Sequence, residues 1–182
     1  MIRRKITLSE AAAYAAQTLQ KGILLTSHAG DKINTMVIGW GSVGMNWNRP
    51  VFNAFVRVGR YTRELLDQNP EFTVNIPISE PDRNVMALCG GKSGRELDKL
   101  AACGLHPVPG ELVSVPAIRE FPVTLECKII YRQEQDPRLL PPELGARFYP
   151  VDKDGSFPGS NRDAHVSYFG EIVSAYVLEE EK

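Results

Sequence analysis

Cysteine is scarce: Cys89, Cys103 and Cys127 are the three in 182 residues, and none forms a C-x-x-C pair. An odd number of scattered thiols excludes a disulfide framework and points to a reducing compartment. An excess of charge of one sign is also missing, since 21 Lys and Arg face 22 Asp and Glu for a formal net charge of -1. The overall field therefore gives no reason to expect nucleic acid or an anionic membrane surface, and any anion site must be local. No apolar run approaches the roughly 20 residues needed to span a bilayer, so no membrane is expected. His28, His106 and His165 lack metal-ligand spacing, and no metal is expected. Internal repeats and low-complexity tracts are absent. At the start, Glu10 and polar residues interrupt what a signal peptide would need as an apolar stretch. The N-terminus reads as native, and the expected location is cytoplasmic.

What is present suits a single globular domain over residues 1–182, because 43% hydrophobic residues can build a core. Thr7 or Ser9 can cap a helix over Ser9 to Lys21, with Thr7-x-x-Glu10 as a capping box and Gly22 as a left-handed C-cap. Ile23 to Ser27 and Ile33 to Trp40 read as strands joined by a turn at 28–32. A Gly- and Asn-rich loop follows, then a strand over Val51 to Arg57 and a helix from Arg60 to Gln68, ended by Asn69-Pro70.

Glu71 to Ile76 is a further strand, and Pro81 suits the first turn of a helix running to about Cys89. A second helix over about Arg95 to Cys103 stops at Gly104. From Phe121 to Arg132, Val123, Leu125, Cys127, Ile129 and Tyr131 point one way and Thr124, Glu126, Lys128, Ile130 and Arg132 the other, a half-buried strand. Gln133 to Asp163 is long for a structureless connection, and reads as mobile or packed over something useful. Tyr168 to Leu178 is apolar on both faces, as in a barrel wall covered by a helix or another subunit. Short strands with helices inserted irregularly favour an antiparallel barrel over a doubly wound parallel sheet.

Two phosphate motifs fail on context. Gly39-Trp-Gly-Ser-Val-Gly44 satisfies G-x-G-x-x-G, but residues 45–50 are a breaker-rich stretch leading to a strand, where the dinucleotide motif needs a helix to open. Gly90-Gly-Lys-Ser93 resembles the end of a P-loop, yet Met86 stands where glycine is required. It remains either an anion-holding loop or a flexible turn between helices.

Arg57-Val-Gly-Arg60-Tyr61-Thr62 ends a strand and opens a helix, presenting two guanidinium groups, a phenol, a hydroxyl and free helix amides. This mixture suits a phosphate dianion, or else forms a solvated basic turn. Asn34, Met36 and Trp40 lie on one element, either as core and turn residues or as the border of a heteroaromatic ligand.

Five stretches in order resemble the flavin reductase-like family, which includes flavoredoxins. Asn34-Thr-Met-Val-Ile-Gly-Trp40 is similar to the family's N-x-M-T-x-S-W, and Val56-Arg-Val-Gly-Arg-Tyr-Thr62 to its S-V-R-x-x-R-Y-S. Phe72-Thr-Val-Asn-Ile76 resembles its F-x-x-N strand, and Cys89-Gly-Gly-Lys-Ser-Gly-Arg-Glu-Leu-Asp-Lys99 its C-G-x-x-S-G-x-x-x-D-K. His165 with Phe169-Gly-Glu-Ile-Val173 is similar to the closing H-x-x-x-x-G-E-V. The resemblance runs from about Gly22 to Leu178.

It implies a mainly β fold with inserted helices, a split β-barrel of the FMN-binding type, with noncovalent FMN and a homodimer whose interface helps build two flavin sites. By position, the Asn34-Thr35-Met36 stretch and Trp40 would meet the isoalloxazine, and Arg57, Arg60, Tyr61 and Thr62 the ribityl phosphate. Lys92 and Ser93 would close over the flavin, with His165 and Phe169 nearby. Val37 and Gly39 replace hydroxyl residues of the family pattern, so side-chain bonds there are lost and backbone amides must serve. The segment 133–163 also exceeds the usual hairpin connection and can reshape access to the flavin.

The resemblance thus implies chemistry on flavin N5 with no side-chain acid, base or nucleophile. Lys92 is the candidate for raising the flavin potential, against a solvated loop lysine. Cys89, with no histidine neighbour in sequence, reads as a small buried residue. Three functions follow: an NAD(P)H-dependent flavin oxidoreductase, a flavoredoxin-like electron carrier without nicotinamide turnover, or a non-catalytic ligand-binding barrel. The partners expected are small-molecule or protein electron donors and acceptors.

Overall fold

Hydrophobic alternation and turn residues place most elements close to their expected positions. The structure, a computed structural model, describes residues 1–152 and 162–181. Strand β1 (Ile2–Lys5) precedes helix α1 (Leu8–Thr18), which tightens into a 3-10 turn at Leu19–Lys21. The expected capping box is made: Glu10 N–H donates to Thr7 Oγ1 at 3.2 Å, and Thr7 N–H donates to Glu10 Oε2 at 2.7 Å. Gly22 has φ +100, and a Cβ there would press on the Met86 and Val37 side chains, so both backbone and packing require glycine.

Strands β2 (Ile23–Ala29) and β3 (Lys32–Ile38) form one hairpin, and β4 (Gly41–Asn46) and β5 (Arg49–Arg57) a second. Residues 41–46 were expected to be loop. They are a strand because Trp47 (φ 51) and Asn48 (φ 56) both adopt positive φ and close a two-residue hairpin, a turn that neither composition nor alternation announces. Helix α2 (Tyr61–Gln68), strand β6 (Glu71–Ile76) and helix α3 (Arg83–Gly91) follow. Helix α4 is only Lys99–Cys103 rather than a helix from Arg95, because Asp98 caps it by accepting from Ala101 N–H at 3.1 Å. It ends at left-handed Gly104, as expected.

Two-residue strands β7 (Pro107–Val108) and β8 (Ala117–Ile118) lead to β9 (Val123–Glu134) and, past helix α5 (Pro142–Phe148), to β10 (His165–Glu179). The first half of β9 is buried on both faces, not one. Residues 111–118 cover its second face: Glu126 accepts from the amides of Glu111 (2.7 Å) and Leu112 (2.6 Å) and from the Tyr176 hydroxyl at 2.7 Å. The expected long loop 133–163 contains the end of β9, a 3-10 turn at Pro137–Leu139 and α5; residues 153–161 lie outside the described residues.

The described pairings are antiparallel; the main sheet runs β3-β2-β6-β9-β10-β5-β4 with β1 also on β10, and β7 pairs β8 separately. The 15-residue β10 pairs β9 along most of its length, β5 over residues 165–171 and β1 over 176–179; bulges after Phe169 and Ile172 bend it around the core. Leu25, Phe52, Phe72, Val74, Leu125 and Tyr168 fill that core, and α1 adds Ala11 and Ala15. This is the mainly β split barrel expected. Strands β3 and β4 end the hydrogen-bonded order, and the chain joins them only through Gly39 and Trp40. Among the described residues the outer backbone edge of β3 is therefore free of strand pairing beside that seam. Among the described residues no helix is long and apolar enough to cross a membrane.

Candidate functional site

Strand geometry assembles a cleft at the seam. On β5, Ala54 and Val56 point into the core and are fully buried, so Phe55 and Arg57 face outward. Arg57 pairs in register with His165 at the start of β10, setting the two side chains together. The turn after β5 brings Arg60, the N-cap residue of α2, and the end of α3 brings Gly90. These residues and Met36 to Trp40 line a cleft of about 310 Å³. That size and its mixed aromatic and charged lining suit a small molecule.

Among the described residues, two guanidinium groups and no carboxylate side chain lie in that lining. Partial burial lowers the pKa of both Arg57 and Arg60, so their charges are held where an anion gains most from meeting them. Arg57 donates to the main-chain oxygens of Asp163 (2.6 Å) and Phe148 (3.2 Å), and Arg60 Nη1 to Gly90 O at 3.5 Å. Burial, reinforced by Arg57 and Arg60, pushes the His165 imidazole down to about 3, so it is neutral at pH 7. The Trp40 ring stands 4.8 Å from that of His165 and 5.1 Å, edge-on, from that of Phe148.

Five of the expected residues meet here: Met36, Trp40, Arg57, Arg60 and His165. Asn34, Thr35 and Thr62 are buried and do not line the cleft. Asn34 Nδ2 donates to Thr62 Oγ1 at 2.8 Å, and Thr35 Oγ1 donates to Leu25 O at 3.4 Å; these three polar side chains fix the walls. Tyr61 lines a different pocket and lies 5.4 Å under the Arg95 guanidinium. Lys92 is exposed and outside the cleft lining, and Ser93 Oγ accepts from Arg95 N–H at 3.2 Å. Phe169 packs 5.4 Å from Tyr131 and 5.9 Å from Trp47, farther along the sheet, because four strand residues carry it well away from His165.

Sequence reasoning missed Phe55, Phe148, Tyr149 and the role of Lys99. The Lys99 ammonium is buried and donates at 3.0 Å to Thr35 O on β3 and at 3.0 Å to Cys89 O, pinning the glycine loop against the cleft wall. Desolvation pushes its pKa down to about 8. Its place in the Asp98-Lys99 pair was the available signal; Tyr149, arriving from a segment read as loop, had none. Cys89 is buried as expected, and its Sγ lies 3.9 Å from that of Cys103; burial and that neighbour push its pKa up to about 12.

Residues 20–182 match the model of the flavin reductase like domain. The chain belongs to the flavin reductase-like family. An uncharacterized protein of Pyrococcus abyssi is 30% identical over 152 residues, covering 80% of this chain and 84% of that one. A second, of Archaeoglobus fulgidus, is 29% identical over 110 residues, 60% of this chain and 61% of that one. Among solved structures, the flavoredoxin of Desulfovibrio vulgaris (Miyazaki F) superposes with a TM-score of 0.65 at 26% identity, covering 87% of this chain and 69% of that chain. The flavoredoxin of Methanosarcina acetivorans does so at 0.62 and 28% identity, covering 87% and 68%. An NADH:FAD oxidoreductase of Streptomyces globisporus, at 15% identity and a TM-score of 0.62, shares the fold; 86% of this chain and 75% of that one are covered.

Proposed function

We propose that this flavin reductase-like chain holds FMN noncovalently in the Trp40–Arg57–Arg60–His165 cleft and works as a flavin-dependent electron-transfer protein. The observation that carries the reading is a pair of partly buried guanidinium groups beside an aromatic wall, with no carboxylate side chain among the described residues of the lining. That donor set suits a phosphate joined to a flat ring.

Arg60 and the first amides of α2 hold the phosphate, and Arg57 adds charge while tying the 148–163 segment to the rim. Trp40 borders the ring face. The amides of Val37 to Gly39 replace the hydroxyls that this chain lacks, because among the described residues the outer edge of β3 has no strand beside it. Neutral His165 adds no charge. Bound flavin would supply hydride acceptance at N5, and the protein orients it and limits water.

The 26% and 28% identities to flavoredoxins favour an electron carrier over an NAD(P)H-dependent reductase. Purified protein mixed with FMN should turn yellow and quench flavin fluorescence at a stoichiometry of one per chain. Anaerobic stopped-flow mixing with NADH or NADPH then separates the two: catalytic bleaching marks a reductase, negligible bleaching a carrier. A protein that stays colourless in excess FMN is neither, and the barrel serves another ligand.

We also propose a homodimer through the outer sheet face, where Trp47 (60% exposed) and Tyr131 (43%) gather around Phe169. Sedimentation should give twice the chain mass, and Trp47→Glu should return it to one. Three free cysteines suit a cytoplasmic location.

A further inference from the structure

Gln135, Tyr149 and His165 form a relay of two hydrogen bonds at the cleft rim. The Tyr149 hydroxyl donates to Gln135 Oε1 at 2.9 Å and lies 2.9 Å from His165 Nδ1. A phenol has one proton, and Tyr149 keeps it at neutral pH because burial raises its pKa. With that proton given to Gln135, the contact to His165 requires a proton on Nδ1, which donates to the phenol oxygen. The imidazole is neutral between two arginines, so its other nitrogen, Nε2, carries a lone pair. Among the described residues no polar group bonds Nε2, and the ring itself lines the cleft.

The arrangement is held from every side. Arg57 of β5 stands 5.4 Å over the Tyr149 ring, while Gln135 N–H donates to His165 O at 2.8 Å. Phe55, Trp40 and Phe148 supply the apolar surroundings, and the charged groups acting there are Arg57, Arg60 and Asp163.

We propose that Tyr149 is a positioning residue that fixes His165 as its Nδ1–H tautomer, making Nε2 an acceptor that selects a cleft occupant bringing a neutral N–H or O–H donor. The tautomer stands on its own; that FMN is among the occupants rests on the reading above.

Long-range 1H–15N spectra of histidine-labelled, ligand-free protein at pH 7 test it, with His165 assigned by its absence from a His165→Asn variant. The wild type should show a pyrrole-type Nδ1 and a pyridine-type Nε2. Gln135→Leu frees the phenol proton to donate to Nδ1, so Nε2 should become the pyrrole-type nitrogen. Tyr149→Phe should give a mixture of the two and raise the Kd for FMN by about two- to tenfold, the range for one lost hydrogen bond. A wild-type His165 already protonated on Nε2 overturns the proposal, as does a tautomer unchanged in folded Gln135→Leu or Tyr149→Phe protein. The expected tautomers together with no FMN binding by the wild type uphold the Tyr149 role and overturn only the flavin reading.

Discussion

The Asn34 side-chain amide donates to Thr62 Oγ1 at 2.8 Å, tying the outer edge of β3 to the first turn of α2. Both residues are almost fully buried, and Asn34 Oδ1 is itself buried with no hydrogen-bond partner among the described residues. Gly94 packs so closely on that oxygen that a Cβ would collide with it. Thr62→Val keeps the shape and removes the acceptor, leaving the amide unsatisfied. Stability should fall by about 1–3 kcal/mol, read from urea midpoints at constant slope. Thr62→Ser should restore most of it, and equal losses in the two variants would mean that packing, not the hydrogen bond, matters at this position.

Arg60→Ala should weaken FMN by about 1.5–3 kcal/mol, as expected for a lost charged hydrogen bond to phosphate. Arg57→Ala should cost stability as well as affinity, because its guanidinium bonds two main-chain oxygens. Fluorescence titration and melting on the same samples separate these effects; unchanged affinity in Arg60→Ala removes Arg60 from the phosphate site. Trp40→Ala should shift the spectrum or affinity of the flavin.

Residues whose roles follow from local chemistry were legible. Thr7 and Glu10 cap a helix through bonds three residues apart, Gly104 ends one by its own φ, and the guanidinium groups of Arg57 and Arg60 sit where a strand gives way to a helix. Roles set by long-range pairing were not. The β4 strand depends on two positive-φ residues and on pairing with β5, and the burial of Asn34, Thr35 and Thr62 depends on what packs over the two faces of β3 and over α2. The resemblance gave Asn34 to the isoalloxazine and Thr62 to the phosphate; in the packed structure they bond each other. Lys92 and Lys99 invert the expectation: the exposed loop lysine was the candidate, and the buried one holds the loop.

Lys99→Met tests that second role. The apolar side chain fits the buried volume but leaves the carbonyls of Thr35 and Cys89 without their donor. Stability should drop by roughly 2–4 kcal/mol, a buried-acceptor penalty at each of two groups. Amide hydrogen exchange should quicken at residues 89–94 more than in β6 or β9, since the loop loses its tether to β3. Uniform acceleration across the barrel would instead make Lys99 a general core residue.

The depressed pKa of His165 predicts a pH dependence with a definite sign. Free histidine titrates near 6.5 and folded His165 near about 3, so between these values the unfolded chain binds a proton that the native one refuses. Stability is unaffected by this group above pH 6.5, falls as pH drops below it, and reaches its full loss near pH 3. Each unit of difference corresponds to about 1.4 kcal/mol, making the total a few kcal/mol. Glu10, Glu111, Glu120 and Asp136 also have lowered pKa values and act in the same direction, so the wild-type slope alone does not isolate His165. His165→Gln, which cannot titrate, removes only the histidine contribution, and denaturation at pH 7, 6, 5 and 4 should show a shallower loss than in the wild type. Parallel curves would mean that folded His165 takes up its proton as the free side chain does, and below about pH 6.5 the cleft would then present a third positive charge in place of a neutral acceptor.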